Sequence, residues 1–322
     1  MITRRTLIAS SAILASSVAA PVFAQSDKAI RFILPVGAGS GVDGIARAAG
    51  PSLAKALGQA VVFDNQPGAG GVVGTAALVK SASDGQTLSI VSNNHVIYPS
   101  VLKSLPFDPL ADISPIALLG ATPMVLVVNP AKVAAKNMQE LVALLKASPG
   151  KYNYASSGNG TILHLAMELF KEVTNTFVTH IPYRGFGDML RDTIGGQVDM
   201  GVGALPAVLA QVKSGALRAI CIASPQRSAA APDIATAVEQ GFPKYLVDGW
   251  FAAVAPKGLP AAQLKRLHEA FASAFASDEV KAAMARQGNS INVSSPETAA
   301  AFFKSELVKY AALVKRAGVI AQ

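Results

Sequence analysis

The densest chemistry in this chain lies where glycine-rich turns run into helical sequence. Pro35-Val36-Gly37-Ala38-Gly39-Ser40 precedes a helix from Asp43; Ser156-Ser157-Gly158-Asn159-Gly160-Thr161 precedes one from 161; Tyr183-Arg184-Gly185-Phe186-Gly187 precedes one from 186. The first N–H groups of a helix have no partner within it and sit at the positive end of its dipole. Such junctions suit carboxylates and phosphates alike. Each alone is ordinary turn chemistry, but their recurrence points to capture of an anion.

Gly39-Ser40-Gly41-Val42-Asp43-Gly44 also matches G-x-G-x-x-G, with Asp64 placed where an acid that binds a ribose belongs. On that alternative the chain is an exported dinucleotide-dependent oxidoreductase. Two features oppose it. Pro35 to Ala38 lengthen the turn before the glycines, and Asp64 leads directly into a second glycine-rich loop, Asn65 to Gly71.

Other chemistry is sparse. There is no G-x-S-x-G, H-E-x-x-H, Walker loop or C-x-x-C, and His95, His164, His180 and His268 form no short metal motif. We expect no enzyme activity, no metal and no cofactor. His164 and Glu168 share a helix face and read as a polar pair supporting the preceding loop, in preference to a ligand contact. Asp43 reads as a helix cap in preference to a ligand contact. Cys221, the single cysteine, lies in an apolar strand and reads as buried packing.

The elements around these turns alternate strand and helix, the pattern of an α/β protein. Strands are expected at 30–34, 60–63, 87–91, 124–128, 177–181, 198–202, 217–222 and 248–254. Helices are expected at 43–57, broken or kinked at Pro51, and near 137–147, 161–172, 186–194, 204–213, 260–275 and 296–316. The last has Ser295 as cap, Pro296 at its first position and Gly318 beyond its end. No repeat or flexible linker divides the chain.

With 322 residues and 51% hydrophobic composition the chain can build about two domains with ample cores. Its +8 charge is scattered, without the basic runs that nucleic-acid binding shows, so no nucleic-acid partner is expected. Residues 1–24 read as a cleavable signal peptide: Arg4 and Arg5, an apolar stretch from Leu7 to Ala20, then Val22-Phe23-Ala24. That stretch is too short to span a bilayer. Arg4-Arg5 fits either Sec or twin-arginine export, and the expected location is the periplasm.

The whole chain resembles the solute-binding receptors of tripartite tricarboxylate transporters, the Bug family. The resemblance rests on an ordered set: Pro35 to Asp43 with Arg47, Asn65 to Gly71, Leu105-Pro106-Phe107-Asp108-Pro109, and Ser157-Gly158-Asn159-Gly160-Thr161 with His164 and Glu168. It continues through His180-Ile181-Pro182-Tyr183-Arg184-Gly185, Gly196-Gln197-Val198-Asp199, Gly215-Ala216-Leu217-Arg218 and Trp250. It departs at Val42, where the family often carries a hydroxyl.

The resemblance implies an α/β, type II-like periplasmic-binding-protein fold: two α/β domains around a cleft that closes on a small organic carboxylate or related solute. Its implied domains are 25–124 with 226–322, and 125–225. The implied ligand residues are Val36, Gly37, Ala38, Gly39, Ser40, Asn93, Ser157, Gly158, Asn159, Gly160, Thr161, Tyr183, Arg184, Gly185 and Gly187. A monomer is expected, with membrane permease subunits, or a signalling partner in a sensor role, as its protein contacts.

Overall fold

A computed structural model describes residues 28–321; the expected signal peptide lies outside them. The strands are β1 (Ile30–Leu34), β2 (Val61–Asn65), β3 (Thr87–Ser92), β4 (Ile113–Val128), β5 (Asn153–Ser156), β6 (Thr179–Pro182), β7 (Met200–Ala204), β8 (Arg218–Ile222), β9 (Asp248–Pro256) and β10 (Ser290–Ile291). The helices are α1 (Gly41–Leu57), α2 (Val72–Val79), α3 (Asn94–Val101), α4 (Met138–Ala147), α5 (Ile162–Thr174), α6 (Phe186–Ile194), α7 (Leu205–Lys213), α8 (Ala261–Ala276), α9 (Asp278–Gln287) and α10 (Pro296–Arg316).

One mixed sheet runs β2-β1-β3-β9-β4-β7-β5-β6, with β8 and β10 also paired to β4. β4 is the member both halves share. Its residues Ile113 to Pro123 pair with β9, and Met124 to Val128 pair with β7 on one side and β8 on the other. The parallel set β1, β2, β3 belongs to the first half and the parallel set β5, β6, β7 to the second. Helices cover both, giving two α/β lobes that meet along β4.

In the first lobe, Phe32, Leu34, Ile45, Leu53, Phe251, Phe271 and Phe275 form an apolar layer between the sheet and α1 and α8. Leu78, Val96, Trp250, Phe303 and Tyr310 form the opposite layer, continuous with the second lobe's core at Leu126, Tyr154, Leu165 and Val202. α10 starts as its residues require. Ser295 Oγ accepts the Thr298 N–H, Pro296 opens the first turn, and Phe303, Tyr310 and Val314 are buried.

One expectation, a break at Pro51, is corrected. α1 runs unbroken through Pro51, which is exposed, so water can satisfy the Arg47 carbonyl that loses its helical donor. Residues 235–247, which the resemblance implies lie in the first domain, bond to the second lobe. Ile222 N–H donates to Ala235, Ala237 N–H to Ile222, and Val247 N–H to Ala223. The chain crosses back near Val247 because the free edge of β8 takes up this segment.

Candidate functional site

The carboxyl ends of β1, β2 and β3 in one lobe face those of β5, β6 and β7 in the other, where open α/β sheets place their ligands. Between them lies a cavity of about 100 Å³. The first loop contributes Val36, Gly37 and Ser40, followed by Gly41, Val42 and Ile45 of α1. The second lobe contributes Ser157, Ile162, Arg184, Gly185, Phe186 and Ala204. Thr122, Met124 and Gly249 form the part nearest the crossing strand.

The first loop is built around Asp43, which is 5% exposed. Its carboxylate accepts the Gly39 N–H at 2.9 Å, the Asn65 side-chain N–H at 3.0 Å and Arg47 Nε at 2.9 Å. Asn65 also donates to the Val36 carbonyl. Gly39 adopts φ +79°, a left-handed turn that glycine takes without strain. Ser40 caps the helix, its Oγ accepting the Asp43 N–H. The N–H groups of Gly41 and Val42 keep no partner among the described residues, and both residues line the cavity. They are the free positive end of α1.

The loop before α5 is held differently. Gly158 N–H donates to Ser156 Oγ, Gly160 N–H to His164 Nδ1 at 2.9 Å, and Thr161 N–H to the Gly158 carbonyl. The Ile162 N–H is taken across the cleft by Asn94 Oδ1 at 2.9 Å, while Asn94 Nδ2 donates to the Gly70 carbonyl at 3.0 Å. Asn94 thus joins the two lobes. Beneath this loop His164 stacks on His180, with centroids 4.0 Å apart and planes 9° from parallel, and His180 Nε2 meets Ser156 Oγ at 2.7 Å.

Because Gly160 donates to Nδ1, His164 carries its proton on Nε2, facing Glu168 at 3.8 Å. Glu168 itself is held mainly by Lys171 at 2.7 Å and by the Tyr154 hydroxyl. Burial lowers the pKa of His164, with Glu168 opposing the shift. Burial, and then the neighbouring His164, push His180 down to about 3. His164 therefore supports the loop, as expected. Cys221 is buried beside Met138, its thiol pushed up to about 12 by burial.

The cavity takes in some of the expected ligand residues and not others. Ala38, Gly39, Gly158, Asn159, Gly160, Thr161, Tyr183 and Gly187 do not line the cavity. For Gly39, Gly158, Gly160 and Thr161 the reason is the internal hydrogen bonding just described. The Tyr183 hydroxyl turns away to Asp192. Asn93 lines the cavity, while its side chain donates to the Asp248 carbonyl and the Tyr310 hydroxyl and accepts the Trp250 N–H. Val36, Gly37, Ser40, Ser157, Arg184 and Gly185 do line it. Arg184 is exposed at the rim, and its guanidinium has no ion-pair or hydrogen-bond partner among the described residues.

The dinucleotide alternative finds no support in this geometry. Asp64 is engaged by Arg31 and Gln66, whose hydrogen bonds, Arg31 first, lower its pKa. The glycine turn closes on its own Asp43, and the cavity is far below the several hundred cubic ångströms of larger ligand pockets.

Two α/β lobes on a shared strand, with free amides facing a small cavity between them, define a solute-binding protein of the periplasmic type. Residues 45–319 match the model of the tripartite tricarboxylate transporter family receptor, and the chain belongs to that family. Protein BugT of Bordetella pertussis is 36% identical over 307 residues, 94% of each chain. The periplasmic binding protein BugD superposes with TM-score 0.86 at 28% identity, covering 91% of this chain and 98% of its own. R. palustris Rpa4515, solved with adipate, gives TM-score 0.88 at 25% identity, covering 92% and 100%. MatC from Rhodopseudomonas palustris, solved with malate, gives 0.83 at 25%, covering 89% and 98%.

Proposed function

We propose that this chain is an exported, periplasmic receptor that captures a small organic carboxylate between its lobes and delivers it, unaltered, to the membrane subunits of a tripartite permease. One observation carries the reading: the Gly41 and Val42 N–H groups, at the start of α1, are unspent and line the cavity between the lobes. The adipate and malate bound by the two R. palustris relatives support the same chemistry. The Ser40 hydroxyl lies beside these amides, and the unpaired Arg184 guanidinium lends positive potential at the mouth.

Closure needs only that the ligand bind the closed arrangement better than the open one. A micromolar carboxylate supplies about −8 kcal/mol at standard state, enough to offset an opening preference of a few kcal/mol. The lobes in this reading are the strands before the crossing in β4 together with 248–321, and the segment from Met124 to Val247. Residues 1–24 serve as the leader, and the receptor acts as a monomer.

The test is a thermal-shift screen of the purified mature chain against dicarboxylates, amino acids, aromatic acids and the amides of each. Selective binding to the native state raises the unfolding midpoint. The expected result is a rise with one class of acid and none with its amide. A rise with uncharged solutes alone would defeat the carboxylate reading and leave family membership intact.

A further inference from the structure

The cavity between the lobes is small, about 100 Å³. An apolar cavity of about 150 Å³ holds one benzene ring, so a space of this size takes about four to six non-hydrogen atoms. A carboxyl group fills roughly half of that. Adipate and malate, solved with the two R. palustris relatives, are larger.

Much of the wall around the α1 amides is apolar, formed by Val42, Ile45, Met124, Ile162 and Phe186. Two of these side chains are wedged against glycines. Phe186 opens α6, is 7% exposed and lies over Gly203, where an added Cβ would stand 3.2 Å from its Cε2. Met124 is 4% exposed and lies over Gly249, where an added Cβ would stand 2.5 Å from its Cε. Both belong to the packed core behind them, so neither can draw back to lengthen the space. The wall also gives a second charge no partner. The amides of Asn93 and Asn94 are committed to hydrogen bonds within the protein, and Arg184, the one cation among the described residues lining the cavity, stands at the exposed rim. A charge enclosed without a partner is strongly disfavoured.

We propose that the solute is a short aliphatic monocarboxylate of about two to four carbons, and that Phe186 is the residue that sets its length. The inference rests on the carboxylate reading above and narrows it. The carboxylate faces the start of α1, and the hydrocarbon end meets the Phe186 ring. Val42 and Ile45 belong to α1 itself, and methionine adapts its torsions to what it meets, whereas a phenylalanine ring pressed on a glycine is a fixed stop.

Calorimetric titration of the mature chain with acetate, propionate, butyrate, valerate and hexanoate tests this, with succinate and adipate as dicarboxylate probes. Each methylene that fits should tighten binding about fourfold. Affinity should rise to an optimum at propionate or butyrate and then fall, with hexanoate at least about tenfold weaker than the best acid because the packed wall does not yield. Succinate should bind at least about tenfold more weakly than butyrate, which has the same number of carbons. Phe186→Leu should move the optimum to a longer acid, and Phe186→Ala should move it further. The leucine variant keeps an apolar side chain in the core and stays readable if the alanine variant does not fold.

A wild-type optimum beyond butyrate, at a dicarboxylate or at a larger acid of the wider screen overturns the inference and leaves the carboxylate reading standing. An optimum that stays in place in the Phe186 variants overturns the assignment to that ring. A wild type that binds none of these acids, nor any in the wider screen, overturns both the inference and the reading beneath it.

Discussion

The loops before α1 and α5 look alike as sequence, each a glycine-rich turn feeding a helix, yet the fold uses them in opposite ways. The first places a single buried carboxylate, Asp43, behind the turn; it consumes the Gly39 N–H and leaves those of Gly41 and Val42 facing the cavity. The second spends its amides inward on Ser156, His164 and the Gly158 carbonyl, and its leading helical N–H is filled by Asn94 from the other lobe. A helix start is an anion site only where no nearby acceptor reaches it first. On the carboxylate reading proposed above, capture belongs mainly to the first loop, and the second serves mainly as the surface on which the lobes close.

Removing Asp43 should break this contrast most severely. Asp43→Ala removes the buried carboxylate that the Gly39 N–H, the Asn65 amide and Arg47 share, a loss of about 2 kcal/mol for hydrogen bonds to a charged group whose partners water can still reach. Urea unfolding should show that loss, and ligand binding should fall below detection as the turn relaxes. Wild-type stability in the variant would mean that the turn does not depend on its carboxylate.

Gly41→Ala acts where the first loop meets the end of β7 in the second lobe. A Cβ at Gly41 would stand 2.9 Å from the Ala204 Cβ of the opposite lobe, closer than such atoms approach. Alanine favours the helix, so α1 itself should survive. Affinity for the preferred acid should drop by roughly 10- to 100-fold, about 1.4 to 2.7 kcal/mol, with an unliganded unfolding midpoint near that of wild type. Unchanged affinity would show that the closed state does not need this contact.

Asn94→Ala makes the second helix start resemble the first, freeing the Ile162 N–H, while the Gly70 carbonyl keeps the Tyr98 hydroxyl. The one of these bonds that crosses between the lobes, Ile162 to Asn94, biases them toward closure by roughly fivefold at about 1 kcal/mol. Small-angle scattering of the unliganded variant should show a larger radius of gyration than wild type. An identical radius would reduce Asn94 to a bystander.

Much of this architecture was legible in the chain. Periodicity placed α1, α5, α6 and α10 within a few residues, and the ordered motifs indicated the family that the comparisons show. Less visible was what depends on distant partners. β5 is four residues long and flanked by polar positions, so it carries no strand signal of its own; its pairing with β6 and β7 makes it one. β4 is far longer than the 124–128 core that its apolar run suggested, because Ile113 to Pro123 is recruited by β9.

At the site, the glycine turns were visible but not the acceptors that fill them. Asn93 and Asn94 are adjacent and chemically identical, yet one is locked under α10 and the other bridges the lobes. Thr122 sits in a strand without any motif, and only its pairing with Gly249 brings that residue to the wall of the cavity.

The smallest effect, and the one that separates the loops without altering the first, comes from protons. Gly160 N–H needs a bare Nδ1 on His164, so the second loop is intact only while that imidazole is neutral. Burial lowers the pKa of His164 and takes His180 to about 3, against 6.5 for the unfolded side chains. Between those limits the unfolded chain binds protons that the folded chain refuses. This contribution to stability is complete above about pH 6.5 and is lost progressively as pH falls toward 3. In the first lobe His95, pushed down to about 4 chiefly by burial and stacked beside Phe107, adds a slope of the same sign. His164→Asn retains a side-chain acceptor for Gly160 without titrating in this range. Unfolding midpoints measured from pH 7 to 5 should fall for both proteins and fall less for the variant, with the remaining slope owed chiefly to His95 and His180. Parallel curves would show that the imidazole under the second loop contributes nothing to its acid sensitivity.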